Sequence, residues 1–410
     1  MINLDEIRKI SAQVSLSNTV VEKDYALGWL LWGIQKHPLT KKSLVFKGGT
    51  CLKKCYFDTF RFSEDLDFSY LGIDALNTSD LTKIFKNIAK LIYEESGLEI
   101  PEKSIQFEIF SNSRGSESIQ GSVKFRGPVR PQVGLNQMQR IKIDITLDEP
   151  LVLSSILKPV EHGYSDYPVG GISASSYTYE EMFAEKVRAL AQRLRPRDLY
   201  DVVHLYRRMD LNKNRNLILS TLESKCALRK IELPTIENLQ NHDNRQFLET
   251  EWEQQLKHQM PVLPSFKSFL DELPDVLLWL TCGIDTSSSR QLACIFGNAR
   301  NIKHISVFDE TISGIHKLTF NRIRMAASNR LLVRFIYDQI IYHVECYSFG
   351  QNPDGLLILG TKITEKDGLV MFHFEKIQKL EVKNESFFPQ FKINIGSSTT
   401  VPVYQLGTDN

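Results

Sequence analysis

The sequence predicts an α+β protein that ends in a small β-rich region. Three observations predict it. Strand-like runs within residues 43–70 flank a Gly-Gly turn and a short helix, residues 180–280 carry mostly helical periodicity, and short strands between Gly and Asp turns follow residue 332. With 410 residues, 42% of them hydrophobic, the chain is long enough for two or three domains and a sizeable core. A charged fraction of 24% excludes global disorder. Lys plus Arg number 50 against 49 Asp plus Glu, so any surface for a polyanion must be a local patch. The six cysteines (Cys51, Cys55, Cys226, Cys282, Cys294 and Cys346) show no CxxC spacing. That argues against metal ribbons and a disulfide framework, and for a reducing compartment. The start, Met1-Ile-Asn-Leu-Asp-Glu, lacks an apolar signal segment, and the longest apolar run, Tyr25 to Ile34, is too short to span a bilayer. A soluble, cytoplasmic protein without a membrane partner is expected.

Taken in order, Leu4 to His37 reads as helical, with Asn18 or Thr19 capping a second helix that begins near Val20. Ser43 to Lys47 is a short strand running into Gly48-Gly49-Thr50, where a helix can start. Asp65 to Tyr70 alternates strictly, with Asp65, Asp67 and Ser69 opposing Leu66, Phe68 and Tyr70, as a half-buried strand does. Ser79 to Ser96 is an amphipathic helix, followed by strands at Ile105 to Phe110, Ser122 to Phe125 and Gln139 to Leu147. Residues Glu180 to Leu280 are mostly helical, broken at Pro196, Pro234, Pro261, Pro264 and Pro274. A polar connector over 287–317 precedes a helix from Phe320 to Leu331. Five strands then follow: Leu332 to Tyr337, Ile340 to Tyr347, Leu356 to Thr361, Val370 to Phe374 and Ile377 to Val382.

The chemistry concentrates in the first third. A Gly-Gly turn after a strand lets backbone amides approach a phosphate, and a helix N-terminus favours its charge. Asp65 and Asp67, two apart on a strand, project from one face. Asp144 lies on the polar face of a later alternating strand. If the two strands are neighbours, three hard carboxylates can hold two metal ions for in-line phosphoryl transfer. Singly, each piece is ordinary: a lone DxD is usually a pair of solvated acids, and a Gly-Gly-Thr is usually just a turn. Lys186 borders the buried stripe of its helix, where it serves either as a phosphate cation or as a snorkelling side chain. Asp198 and Asp201 share a helix face behind Pro196, where an acid also simply complements the helix dipole. Lys124, Arg126, Arg130, Arg140 and Lys142 form a basic stretch suited to an RNA backbone or to a solvated hairpin face. The histidines lack ligand spacing, which argues against zinc and a histidine base.

The order of these motifs resembles the nucleotidyltransferase fold and, more narrowly, the AbiEii/AbiGii-type toxin family. The resemblance rests on Lys47-Gly-Gly-Thr-Cys-Leu-Lys53, Arg61-Phe-Ser-Glu-Asp-Leu-Asp67 and Ile141-Lys-Ile-Asp-Ile145. Glu180-Glu-Met-Phe-Ala-Glu-Lys-Val-Arg-Ala-Leu190, Arg195-Pro-Arg-Asp-Leu-Tyr-Asp201 and Glu22-Lys-Asp-Tyr25 add to it, over roughly residues 15–275. It implies a nucleotidyltransferase core over 1–185, a helical extension over 186–286 that completes the active site, the connector, and a β-rich domain over 318–410. It also implies transfer of a nucleoside monophosphate from an NTP to an acceptor hydroxyl, with the 3′ end of tRNA as the leading acceptor and a protein as another, in toxin–antitoxin or phage-defence settings. Asp65, Asp67 and Asp144 would bind two Mg²⁺ ions, with Mn²⁺ as the substitute. Lys186 would neutralise the triphosphate, and Asp198 would act as base or orienter. Lys47, Gly48, Gly49, Thr50, Arg61, Ser63, Arg193 and Asp201 would bind substrate. A cognate antitoxin encoded nearby is the implied partner. The other class of function is a nucleotide- or nucleic-acid-binding regulator without turnover.

Residues from about 318 resemble, more loosely, a WYL-type β module. The features are Asn329-Arg-Leu-Leu-Val-Arg-Phe-Ile-Tyr337, Val344-Glu-Cys-Tyr-Ser-Phe349 and Met371-Phe-His-Phe-Glu-Lys-Ile377. Leu357-Ile-Leu359 occupies the strand of the naming tripeptide, and His373 stands at a usual arginine position, departures that bear on the ligand pocket of such modules.

Overall fold

The computed structural model describes residues 1–58, 60–72, 76–111, 117–207, 214–284, 299–306, 314–364, 368–395 and 400–406. They form two compact units, Met1–Tyr56 with Arg61–Ala184, and Phe57–Phe60 with Glu185–Asn410. Helices and sheets occur in both, as an α+β chain requires. Among the described residues no helix is long and apolar enough to cross a membrane.

The first unit is built on a seven-stranded sheet: β1 (Leu44–Lys47), β2 (Asp65–Tyr70), β3 (Gln106–Ser111), β4 (Glu117–Phe125), β5 (Gln139–Thr146), β6 (Ile156–Pro159) and β7 (Ser173–Ser176), in the order β3-β4-β5-β2-β1-β7-β6. β2 lies parallel to β5 and antiparallel to β1. Alternation gives the central strands one apolar face, with Phe46, Leu66, Phe68, Ile141, Ile143 and Ile145 all buried. The helices Asn18–Lys36 and Thr78–Ser96 pack against each other and against this sheet. The helix Asn18–Lys36 is capped by Ser17, whose hydroxyl accepts from the Val20 amide, one residue before the expected cap.

The Glu22-Lys-Asp-Tyr25 run ties this helix to the rest of the unit. Glu22 accepts from the Val129 amide at 2.5 Å and from the Gln139 side chain, and Lys23 pairs with Glu64 at 2.7 Å. Asp24 pairs with buried Lys54 at 2.6 Å and accepts from the Tyr164 hydroxyl at 2.9 Å. Tyr25 donates to Asp166 at 2.6 Å. Lys53 and Lys54 can both face inward because Leu52–Tyr56 is wound as a π-helix, a widened turn that shifts the side chains around the axis.

In the second unit the helices Pro196–Arg207, Arg215–Arg229, Phe247–Leu256 and Leu273–Cys282 precede the helix Gly314–Asn329 and a second sheet. Pro274 sits in the first turn of its helix, where a missing N–H costs nothing, and so starts a helix rather than breaking one. The sheet contains β8 (Ala299–Ser306), β9 (Leu331–Tyr337), β10 (Ile340–Gln351), β11 (Leu357–Ile363), β12 (Leu369–His373), β13 (Gln378–Ser386) and β14 (Thr400–Leu406). Its order is β12-β11-β10-β14-β8, with β9 bridging β10 and β13. The 287–317 connector falls partly outside the described residues, as does Cys294; within that span Ala299–Ser306 is a strand paired with β14. Phe320, Val333, Phe335, Phe349 and Phe372 are among the buried residues of this core. The helical segment and the β-rich region are joined by polar contacts. Tyr200 and His204 meet the Asn329 side-chain oxygen at 3.0 and 3.2 Å, and Arg207 and Arg330 converge on Glu272 at 2.9 and 2.6 Å. Burial, then the Arg207 charge, pushes the His204 imidazole down to about 3, so it is neutral at pH 7.

Candidate active site

The parallel register of β2 and β5 sets Asp67 opposite Asp144 and Asp65 opposite Lys142. Directly paired residues of neighbouring strands point to the same face, so Asp65, Asp67 and Asp144 share the polar face of the sheet. All three are half-buried. Burial, then the neighbouring Asp65 charge, raises the Asp144 carboxyl above its ordinary value, against the opposing pull of Lys142 and Lys47. Replacing Asp65 with Asn should bring Asp144 back toward the ordinary carboxylate range. A ¹³C NMR titration of the Asp144 side chain reads this directly, and an unchanged midpoint would contradict it.

The Gly-Gly turn lies against this acidic face. Gly48 has φ +81°, in the left-handed region, and a Cβ built there would stand 2.1 Å from Asp67 Oδ2. A Cβ on Gly49 would stand 2.7 Å from Arg61 Nη2 and 3.0 Å from Ser63 Oγ. The absent side chains are thus what allow Asp67, Arg61 and Ser63 to close on the turn. Gly48→Ala should displace the Asp67 carboxylate and strain the backbone, so we expect nucleotide transfer to fall by at least about tenfold and stability by about 1–3 kcal/mol. Parental activity in that variant, measured beside its thermal melt, would count against the assigned role of the turn.

Two residues expected to meet substrate also make bonds within the protein. The Thr50 hydroxyl donates to the Asp65 backbone carbonyl and anchors β2 to the turn. Lys47, paired in register with Asp67, sends its ammonium to Glu149 at 2.5 Å and to the Thr146 hydroxyl at 3.0 Å. Tyr177 donates to the second Glu149 oxygen at 3.2 Å and meets the Ser69 hydroxyl at 2.7 Å. Glu149 carries no signal in the sequence. It lies three residues past the end of β5, in a short Asp-Glu-Pro loop without periodicity. Cys51 and Cys55, beside the turn, are free thiols, and burial with the neighbouring Cys55 sulfur raises the Cys51 thiol well above its usual value, which suits a packing role.

The basic stretch reaches the same face. Arg140, Lys142 and Asp144 alternate along β5, and Lys124 of β4 is the register partner of Arg140. Arg140 and Lys142 are exposed, Lys124 also donates to the Leu135 carbonyl at 3.2 Å, and Arg126 pairs with Glu99 at 3.5 Å.

A second cluster occupies the second unit. The Lys186 ammonium lies 2.6 Å from Asp201 and 3.8 Å from Asp198, and Arg193 binds both Asp198 oxygens, at 2.6 and 2.8 Å. Asp198, Asp201 and Lys186 are buried, while the Arg193 side chain is 46% exposed. Asp198 is held in a bidentate pair, the geometry of a group that orients a guanidinium.

Among the described residues no group of three or more His, Cys, Asp and Glu forms a preassembled metal cage. Mg²⁺ in phosphoryl-transfer sites is held by one or two carboxylates together with substrate phosphates and water, so the donor set here, hard oxygens on one crowded acidic face, fits that ion.

Acidic side chains on one sheet face beside a Gly-Gly turn are an arrangement that suits a transferase acting on nucleoside triphosphates. A family model described as the nucleotidyl transferase AbiEii toxin of the type IV toxin–antitoxin system matches residues 29–272. The chain belongs to that family and is a nucleotidyltransferase; the family implies an NTP substrate and an antitoxin counterpart. Membership decides between the two classes of function in favour of the enzyme. The matched span ends ahead of the C-terminal β-rich region. Among solved structures the protein is similar to MenT4, a nucleotidyltransferase toxin of Mycobacterium tuberculosis H37Rv, with a TM-score of 0.46 and 17% identity, covering 71% of this chain and 93% of that one. No curated protein matches.

Proposed function

We propose that the protein transfers a nucleoside monophosphate from an NTP to the 3′-terminal hydroxyl of tRNA, with Mg²⁺, as the toxin of a toxin–antitoxin pair acting in phage defence. The observation that carries this reading is the register of Asp67 with Asp144, which gathers three acids on one sheet face beside the Gly48-Gly49 turn. Asp65, Asp67 and Asp144 would hold the metal. Bound there, Mg²⁺, or Mn²⁺ in its place, would offset the charge that develops on the phosphoryl oxygens. The Gly48-Gly49 amides cradle phosphate, with Arg61 and Ser63 closing on the turn. The acceptor oxygen attacks the α-phosphorus, the bond to the β-phosphate oxygen breaks, and pyrophosphate leaves. To Lys186 and Arg193 we assign neutralisation of the triphosphate, and to Asp198 and Asp201 the orientation of those two cations.

Exposed Arg140 and Lys142, on the face that carries Asp144, support an RNA acceptor, because a phosphate backbone is drawn to local positive charge. The looser WYL-type resemblance supports a sensing or docking role for the C-terminal β-rich region. The test is to incubate the full chain with Mg²⁺, each α-labelled NTP in turn, and total bacterial RNA. Label should enter tRNA-sized RNA and be lost when the RNA 3′ ends are first oxidised with periodate. Label on a protein, or label unaffected by periodate, would overturn the assigned acceptor.

A further inference from the structure

Within the second unit the helices leave a cavity of about 420 Å³, a size typical of small-molecule sites and far above the voids of a close-packed core. Its walls are aliphatic: Leu194, Leu239, Leu248, Leu273 and Leu277 are buried around it, and Ile236 stands half-buried. Two charged residues line it. Asp271 is already paired with Lys267, at 2.6 Å. Arg245 is half-buried, and among the described residues no carboxylate pairs with its guanidinium.

Arg245 is held in place by its own turn. Its amide donates to the His242 carbonyl at 2.8 Å, the neighbouring Asn244 side chain donates to the Arg193 carbonyl at 3.0 Å, and His242 meets the Gln192 carbonyl at 3.4 Å. An arginine that lines an aliphatic cavity from an anchored turn, with the neighbouring acid paired to Lys267, has the charge and shape to take a ligand with an apolar body and one anionic head. Guanidinium binds a carboxylate through two parallel hydrogen bonds, and the leucine walls gain by covering a hydrocarbon chain.

We infer that this cavity is a binding site for an anionic amphiphile, a medium-chain carboxylate in class, with Arg245 on the head group and the leucine walls on the chain. The site is separate from the catalytic residues assigned above, so its test does not pass through nucleotide transfer. The turn that carries Arg245 nevertheless fastens the last carbonyls of the helix that bears Lys186 and Arg193, which gives a bound amphiphile a direct purchase on that helix end.

The experiment is isothermal titration calorimetry of the full chain with decanoate below its micelle concentration, with decanol and decyltrimethylammonium as comparisons. One decanoate should bind per chain. Arg245→Gln should weaken it by about tenfold or more, the loss of one charge-assisted pair, and leave decanol unchanged. Ile236→Trp, a filling substitution at a half-buried wall position, should block both ligands, with a circular dichroism melt confirming that the variant folds. Absence of saturable decanoate binding would overturn the inference. So would equal affinity in the parent and both variants, or tighter binding of decyltrimethylammonium than of decanoate.

Discussion

Asp67→Asn should reduce nucleotide transfer by about 10²–10³-fold or more while leaving the fold in place. Asn preserves the volume against which Gly48 packs while it removes the charge and turns one acceptor oxygen into an NH2 donor. Asp67 sits opposite Asp144, with Asp65 two residues away on the same face, and the charge that would hold a divalent ion is shared among the three. Because the side chain keeps its volume, the thermal melt should stay close to that of the parent. Asp65→Asn should behave in the same way, and the double variant should be inactive. Near-parental transfer in either single variant would contradict the placement of the reaction on this face.

The second large effect is on stability. Asp24→Ala strands the Lys54 ammonium, whose side chain is only 2% exposed, without its carboxylate. Breaking a buried pair from one side costs about 3–5 kcal/mol, a substantial share of a domain's stability. Lys54→Met in the same chain should recover much of the loss, because an apolar chain of similar length leaves no stranded charge. The pair also fixes a pH dependence. Burial alone would raise the Asp24 carboxyl; the Lys54 charge, then Lys53, overcomes this and holds it below the ordinary value. The folded form therefore takes up this proton at lower pH than the unfolded chain does. The contribution is complete above about pH 4 and is lost as pH falls through the folded value. Denaturant unfolding of the parent and Asp24→Ala at several pH values measures it, and equal stabilities at pH 7 would refute it.

Much of the first unit is legible in the sequence because its signals are local. Period-two alternation marks β2 and β5, and the carboxylates fall on their polar faces for the same reason that Leu66 and Ile143 fall on the buried one. The Gly-Gly turn is legible because only glycine tolerates both the left-handed backbone at Gly48 and the approach of Asp67. The adjacency of β2 and β5 is a condition that the sequence leaves open, and the register meets it. β7, Ser-Ala-Ser-Ser, escapes because four small, mostly polar residues carry no pattern, and its pairing of Ser176 with Phe46 is remote in sequence. Glu149, the partner of Lys47, escapes for the same reason.

The Glu22-Lys-Asp-Tyr25 run is visible as a motif, but its work as a set of cross-links to Gln139, Glu64, Lys54 and Asp166 depends on tertiary partners. Helical spacing places Lys186 at the edge of its buried stripe, yet nothing in that spacing reveals that Asp201 holds its ammonium.

The most direct test of the central claim follows two labels through one reaction. The full chain, Mg²⁺ and bacterial RNA are incubated with NTP labelled either at the α- or at the γ-phosphate, beside the Asp65→Asn, Asp67→Asn double variant. The α-label should enter the acceptor, the γ-label should leave as pyrophosphate, and the double variant should do neither. Transfer of the γ-label to the acceptor, or α-label transfer that survives loss of both carboxylates, would contradict it.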